Sequence, residues 1–164
     1  MTNGSFLTTT RRQTIIGISL LLFVLACATP CLEMSQKSDP VWYGLRILVL
    51  GWMGFLAGQF AWFANPFWVI GLCLLAFRKW SAAAIVSGLS LLFALNTLVM
   101  FVMPLPADES NVNKTYLVQF RIGFYLWLAS LAMPFVKACV MRNQSRLKHD
   151  PSQWGTRSQT PYLH

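Results

Sequence analysis

The residues of this chain best suited to chemistry are few, and two of them are thiols. Cys27 and Cys31 form a C-x3-C pair. At helical spacing, side chains four apart lie on one face. That separation does not favour a disulfide unless the backbone unwinds, and Pro30 between them supplies a place to unwind. The pair is therefore a candidate disulfide. A thiol-redox enzyme that hands electrons onward to a quinone needs a second cysteine pair on the same side. Residues 104–116, the matching loop, contain none, and Cys73 and Cys139 fall within or at the ends of apolar segments. Packing or a structural bridge is the better reading of these thiols, and no cofactor is implied.

A second set consists of polar residues inside apolar stretches: Gln59, Asn65 and Asn96, with Pro66 directly after Asn65. Such side chains can hydrogen-bond across helices, each bond worth roughly 1 kcal/mol, or line a ligand site. Structural glue is the expected role. Asn65-Pro66 removes one helix hydrogen bond and biases Asn65 away from the helical region. In transporters a broken helix often lines a binding site, but no paired half-repeat accompanies this one, so a local kink is expected. No acid lies inside any apolar segment, so no proton relay is evident. His149 and His164 stand in a polar tail away from any ligand cluster, so no metal site follows. Asp108-Glu109 reads as a solvated loop charge.

The elements that must position these residues are membrane helices. Of the 164 residues, 55% are hydrophobic and only 11% charged, against about 25% charged in a soluble domain. A chain this small cannot hide so much apolar surface from water. The net charge of +8 reads as inner-face asymmetry and contact with anionic lipid, not as nucleic-acid binding.

The chain divides into a cytoplasmic N-terminal tail (1–13), a transmembrane helical domain (14–141) and a basic cytoplasmic C-terminal tail (142–164). Residues 14–29 make a first span, retained in preference to cleavage as a signal peptide. Residues 30–44 read as a polar loop bounded by Pro30 and Pro40. The stretch 41–80 is too long for one crossing of about 20 residues and too short for two. Its first part, about 41–54, is expected to lie at the interface or re-enter as a short helix, with Trp42 and Tyr43 as interfacial rings. Its second part, from about Gly58 to Lys79, crosses with a bend near Pro66. Residues 81–103 and 117–141 are the last two spans. Ser81, Ala84 and Gly88 offer small residues for close helix contact, and Gly54-x3-Gly58 does so more weakly. Pro134 marks a kink.

The expected fold is thus an all-α, four-crossing transmembrane bundle with one extra surface helix and both ends in the cytoplasm. The inner face then holds nine basic residues (Arg11, Arg12, Arg78, Lys79, Lys137, Arg142, Arg146, Lys148 and Arg157) against Asp150 alone. The outer face balances Lys37, Arg46, Lys114 and Arg121 against Glu33, Asp39, Asp108 and Glu109. A five-crossing rival gives the same split of basic residues. It must place Arg11-Arg12 outside beside the first span and make Phe67–Phe77 cross alone, and both are costly.

The segments Phe60–Pro66 (FAWFANP) and Gly123–Ser130 (GFYLWLAS) resemble stretches of small multi-pass bacterial inner-membrane proteins with no assigned activity. The resemblance covers roughly residues 25–135. It implies a bacterial inner membrane and carries over no mechanism. The two segments are expected to meet near the outer interface as a Trp62–Trp127 neighbourhood. A non-enzymatic accessory or interaction protein is the expected role, with the lipid bilayer and a second copy or a membrane partner as its company. The alternatives are a small transporter or channel component, and a thiol-redox enzyme working through Cys27 and Cys31.

Overall fold

The chain is mostly helical because its apolar stretches must satisfy their own backbone groups, which a helix does within one segment. The computed structural model describes residues 3–35, 40–103, 105–106 and 114–148. Lys37, Asp39, Asp108, Glu109, His149, Asp150, Arg157 and His164 lie outside those residues. Five α-helices are described: α1 (Asn3–Ala28), α2 (Gly44–Leu50), α3 (Ala64–Ala76), α4 (Trp80–Leu95) and α5 (Ile122–Lys148). Tighter 3-10 stretches cover Gly51–Ala57, Ala61–Phe63 and Asn96–Phe101. The N-terminal tail expected over 1–13 is helical from Asn3, and α5 carries its helix past Met141 to Lys148.

The long helices alternate in direction. Arg12, in the N-terminal half of α1, donates to the Ala76 carbonyl at the end of α3, at 2.9 Å. Ser19 reaches Ser130 of α5, and the end of α1 meets the start of α5, where Arg121 N–H donates to Cys31 O at 2.8 Å. On α4, Ser90 donates to the Ala64 carbonyl of α3 at 2.8 Å, while Gly88 packs beside Phe135 of α5. α1 therefore runs against α3 and α5, and α4 runs against both of them. Arg12, Arg78 and Lys79 gather at one end of the bundle. Glu33, Arg46 and Arg121 belong to the other.

The fold is not purely α. β1 (Pro30–Met34), β2 (Val41–Tyr43) and β5 (Leu117–Phe120) form a three-stranded antiparallel sheet in the order β2-β1-β5. β3 (Leu105–Pro106) and β4 (Lys114–Thr115) pair as a second, smaller ladder. The physical reason begins at Pro30, which has no N–H and ends α1. The following backbone must find partners outside a helix, and it finds them in both neighbouring strands. The polar loop expected over 30–44 and the start of the span expected at 117 are this sheet.

Over the stretch 41–54, expected as one interfacial or re-entrant helix, the chain forms β2, α2 and the start of the 3-10 stretch Gly51–Ala57. Gly58 closes it in the left-handed region, at φ 74°. The 3-10 stretch Ala61–Phe63 passes into α3 just before Pro66. Pro66 lies in the first turn of α3, where no intrahelical N–H partner is lost, and the chain changes direction earlier, over residues 58–63.

Among the described residues, Trp80–Phe101 and Ile122–Ser145 are helices long and apolar enough to cross a bilayer. Arg12–Ala28, Gly44–Ala57 and Ala61–Ala76 are shorter apolar helices. The small-residue pattern of α4 is used, with a shift: Ala83, Ala84, Ser87, Ser90 and Ala94 are buried, while Ser81 is exposed. Gly71 of α3 faces Ser87 of α4 closely enough that any side chain there would displace the Ser87 hydroxyl. Gly54 and Gly58 shape the 3-10 stretch and its cap and do not form a helix crossing.

One buried knot ties three helices. Pro134 cannot donate to the carbonyl four residues earlier, so Ser130 O is left open. Ser19 Oγ of α1 donates to it at 2.8 Å, and Trp68 Nε1 of α3 donates to it at 3.0 Å. Trp68 Nε1 also reaches Ser19 Oγ at 3.0 Å, and its ring stacks on Phe23 with centroids 4.4 Å apart. An orphaned carbonyl in an apolar interior costs several kcal/mol. Here it becomes the meeting point of α1, α3 and α5.

Candidate functional site: an apolar cavity beneath the surface segment

The segment 44–57 does not collapse onto the bundle. It is held at its rim, and an open space of about 740 Å³ remains underneath. Gly44 allows the first contact, because any side chain there would strike the Ala26 carbonyl. Its N–H donates to Thr29 O at 3.1 Å. At the far side Trp62 Nε1 donates to Leu48 O at 2.8 Å, which ties α2 to the entry of α3.

The walls are apolar and aromatic. Phe23, Ala26 and Cys27 come from α1, and Cys31, Leu32 and Trp42 from the sheet. Ile47, Met53 and Leu56 belong to the surface segment itself. Trp62, Met100, Phe124 and Trp127 close the bundle side. Phe120 and Phe124 stack with centroids 3.8 Å apart, and Phe124 leans on Trp127 at 5.8 Å. The outward face of the segment is apolar too: Leu45, Val49, Trp52 and Phe55 are exposed and do not line the cavity. A patch of that kind fits a lipid surface better than water.

Few polar groups line the cavity, and they differ in how well they are satisfied. Asn65 Oδ1 accepts from Trp127 Nε1 at 2.9 Å, so its carbonyl is in use. Arg46 holds its guanidinium 5.0 Å from the centre of the Trp42 ring. Gln59 is only 6% exposed, and among the described residues neither Oε1 nor Nε2 of its amide has a hydrogen-bond partner. Trp42 Nε1 is likewise buried without a partner among them. A buried unpaired polar group costs about 1–3 kcal/mol.

The residues singled out in the sequence are thus sorted. Cys27, Cys31, Gln59 and Asn65 all line this one cavity. Asn96 does not, and Pro66 does not. Asn96 Oδ1 instead accepts from Phe60 N–H at 2.6 Å, fixing the turn into α3. Gln59, Asn65 and Asn96 do not bond to one another as expected. Trp62 and Trp127 do share a neighbourhood, as two walls of the cavity.

The thiols are separate, and Cys31 Sγ donates to Ala26 O at 3.4 Å. Burial pushes the Cys31 thiol up to about 12, and a charge on neighbouring Cys27 would push it the same way. A thiol in that state is a poor nucleophile. No group of three or more metal-ligating side chains is found among the described residues.

Outside the cavity, Glu33 of β1 accepts from Gln119 Nε2 and from Arg121 Nε at 2.9 Å, with the Arg121 guanidinium also paired to it. The Gln119 bond first, and then Arg121, hold this exposed carboxyl below its ordinary range. The cluster pins β5 to β1 and so fixes the wall behind Leu32 and Phe124.

Sequence reasoning missed the cavity and the Ser19–Trp68–Ser130 knot. Ser130 standing four residues before Pro134 was the available signal for the knot. No family model matches the chain, and neither a curated protein nor a solved structure matches it.

Proposed function

We propose that the chain is a non-enzymatic protein of the bacterial inner membrane that holds an apolar molecule from the bilayer in the cavity beneath segment 44–57. It crosses four times with both termini in the cytoplasm, and acts as an accessory or interaction protein. The four-crossing reading rests on the alternating directions of α1, α3, α4 and α5 and on Arg12, Arg78 and Lys79 lying at one end. Ala61–Ala76 spans about 24 Å at 1.5 Å per residue, less than a core of roughly 30 Å. The surface segment entering from the outer side makes up the difference. Anionic lipid meets the basic inner end.

The observation that carries the binding role is the cavity itself: about 740 Å³ with mostly apolar walls and a few polar groups. That is the size and character of sites that take small apolar molecules. Trp42, Trp62 and Trp127 line it, so a brominated occupant quenches their fluorescence. Titrating the detergent-solubilised chain with 1-bromodecane gives saturable quenching, and Ala57→Phe, which fills the space, abolishes the saturable part. Equal quenching of both proteins would remove the binding role.

One observation favours thiol-redox chemistry, since Cys27 and Cys31 both face the same apolar space. The raised Cys31 pKa and the lack of a second thiol pair in residues 104–116 weigh against it. For the transport reading, Asn65 lines the cavity while Asn96 does not, and their side-chain oxygens accept from Trp127 and Phe60.

A further inference from the structure

The cavity reading says that something apolar is held; the distribution of charge along the cavity says what its head must be. Among the described residues that line the space, Arg46 is the one with a formal charge. It stands at the sheet end. Tyr43 of β2 pairs with Pro30 of β1 and Gly44 N–H donates to Thr29 O, so Arg46 lies within the first turn of α2 after the sheet. The residue is exposed, and its guanidinium carbon is 5.0 Å from the centre of the Trp42 ring, which lines the same space. The other end is unlike it. α1 runs toward the sheet, so Phe23 lies deeper than Cys27 by about 6 Å at 1.5 Å per residue. Phe23 stacks there on Trp68 of the three-helix knot, and Trp127 forms the facing wall. The Asn65 side-chain carbonyl at that depth already accepts from Trp127. The space is thus cationic at its exposed rim and aromatic in its depth.

Resting on the cavity reading, we propose that the occupant is a single-tailed amphiphile with an anionic head, its carboxylate held at Arg46 and its tail running inward past Cys27 toward Phe23 and Trp127. A guanidinium carries five N–H donors in one plane, and two of them match the two oxygens of a carboxylate. Contact with the Trp42 ring keeps the cation at the rim. The head charge therefore stays at the exposed end, and only the tail enters the apolar interior, where a charge would be costly. An ester or a protonated acid keeps the tail contacts and loses the ion pair.

The test uses the quenching titration in an uncharged detergent with three probes: 1-bromodecane, 10-bromodecanoic acid and its methyl ester. In the wild type at about pH 9, where the carboxyl is ionised, the acid half-saturates at a micellar fraction about fivefold below that of the ester, the effect of one partly screened ion pair. The advantage shrinks as salt is added and disappears once the acid is protonated. In Arg46→Gln the acid and the ester come within about twofold of each other, and in Arg46→Lys, which keeps the charge, most of the preference remains. Unchanged 1-bromodecane binding in both variants shows that the cavity is intact.

An acid preference that survives Arg46→Gln overturns the proposal. So does a wild type that binds the ester as well as the ionised acid, or one that binds the acid better once it is protonated. If none of the probes quenches saturably, the cavity reading falls and the head-group inference falls with it. If 1-bromodecane saturates and the ionised acid gains nothing over the ester, the head-group inference falls alone.

Discussion

Trp68→Phe isolates what the three-helix knot contributes. The substitution keeps an aromatic ring to stack on Phe23 and removes the indole N–H that reaches both Ser130 O and Ser19 Oγ at 3.0 Å. Ser130 O keeps its bond from Ser19, so no carbonyl is orphaned. Interhelical hydrogen bonds inside membranes are worth about 0.6 kcal/mol on average and up to about 1.7. Shrinking a ring that is 3% exposed adds a cavity term of about 1 kcal/mol. The expected loss is therefore about 1–3 kcal/mol. The neighbouring Val69 is 50% exposed and faces outward, so Val69→Ala costs within about 0.5 kcal/mol. Unfolding both variants in mixed micelles with rising denaturing detergent gives the comparison. A Ser19→Ala and Trp68→Phe double-mutant cycle then gives the coupling, expected at about 0.5 kcal/mol or more. A Trp68→Phe cost no larger than that of Val69→Ala would refute the assignment of this knot as the centre of the bundle.

Glu33 has a depressed folded pKa, so its contribution is present above the ordinary carboxylate pKa and is lost as pH falls through the folded value. Hydrogen exchange at the β1–β5 ladder accelerates in that acid window, and Glu33→Gln removes the pH dependence. Gly71→Leu drives a side chain into Ser87 and forces α3 from α4, costing about 1–3 kcal/mol or more in the same detergent titration. A cysteine placed at Ser81, which is exposed beside the Arg78-Lys79 turn, reacts with a membrane-impermeant thiol reagent only after the cell envelope is opened. Labelling in intact cells would reverse the orientation.

Much of the helical plan was legible because apolar run length and proline position are strong local signals. The end of α1 at Pro30 and the start of α4 after Lys79 follow from them directly. That the stretch 41–80 is broken into more than one element was legible as well, since it fitted neither one crossing nor two. The sheet was not. Pro30–Met34 pairs with Leu117–Phe120, more than eighty residues away, and its short strands carry no long alternation to announce them. A proline in an apolar run looks the same whether it bends a helix or sits near its start; Pro66 stands two residues after the start of α3, and Asn96 accepts from Phe60 N–H in the turn before it. The cavity was invisible for a further reason. A hole is a property of how α2 fails to reach the bundle, and no residue type spells that out. Gln59 was legible as a polar residue in an apolar stretch, but its lack of partners is a fact of packing.

The claim at the centre of this account is that the space under segment 44–57 holds a single small amphiphile taken from the membrane. The most direct measurement is the intact mass of the chain released from lipid nanodiscs assembled with its own membrane lipids. Wild type is expected to carry one small bound molecule per chain, absent from Ala57→Phe. The same adducts on wild type and Ala57→Phe, or a bare chain in both, would contradict it.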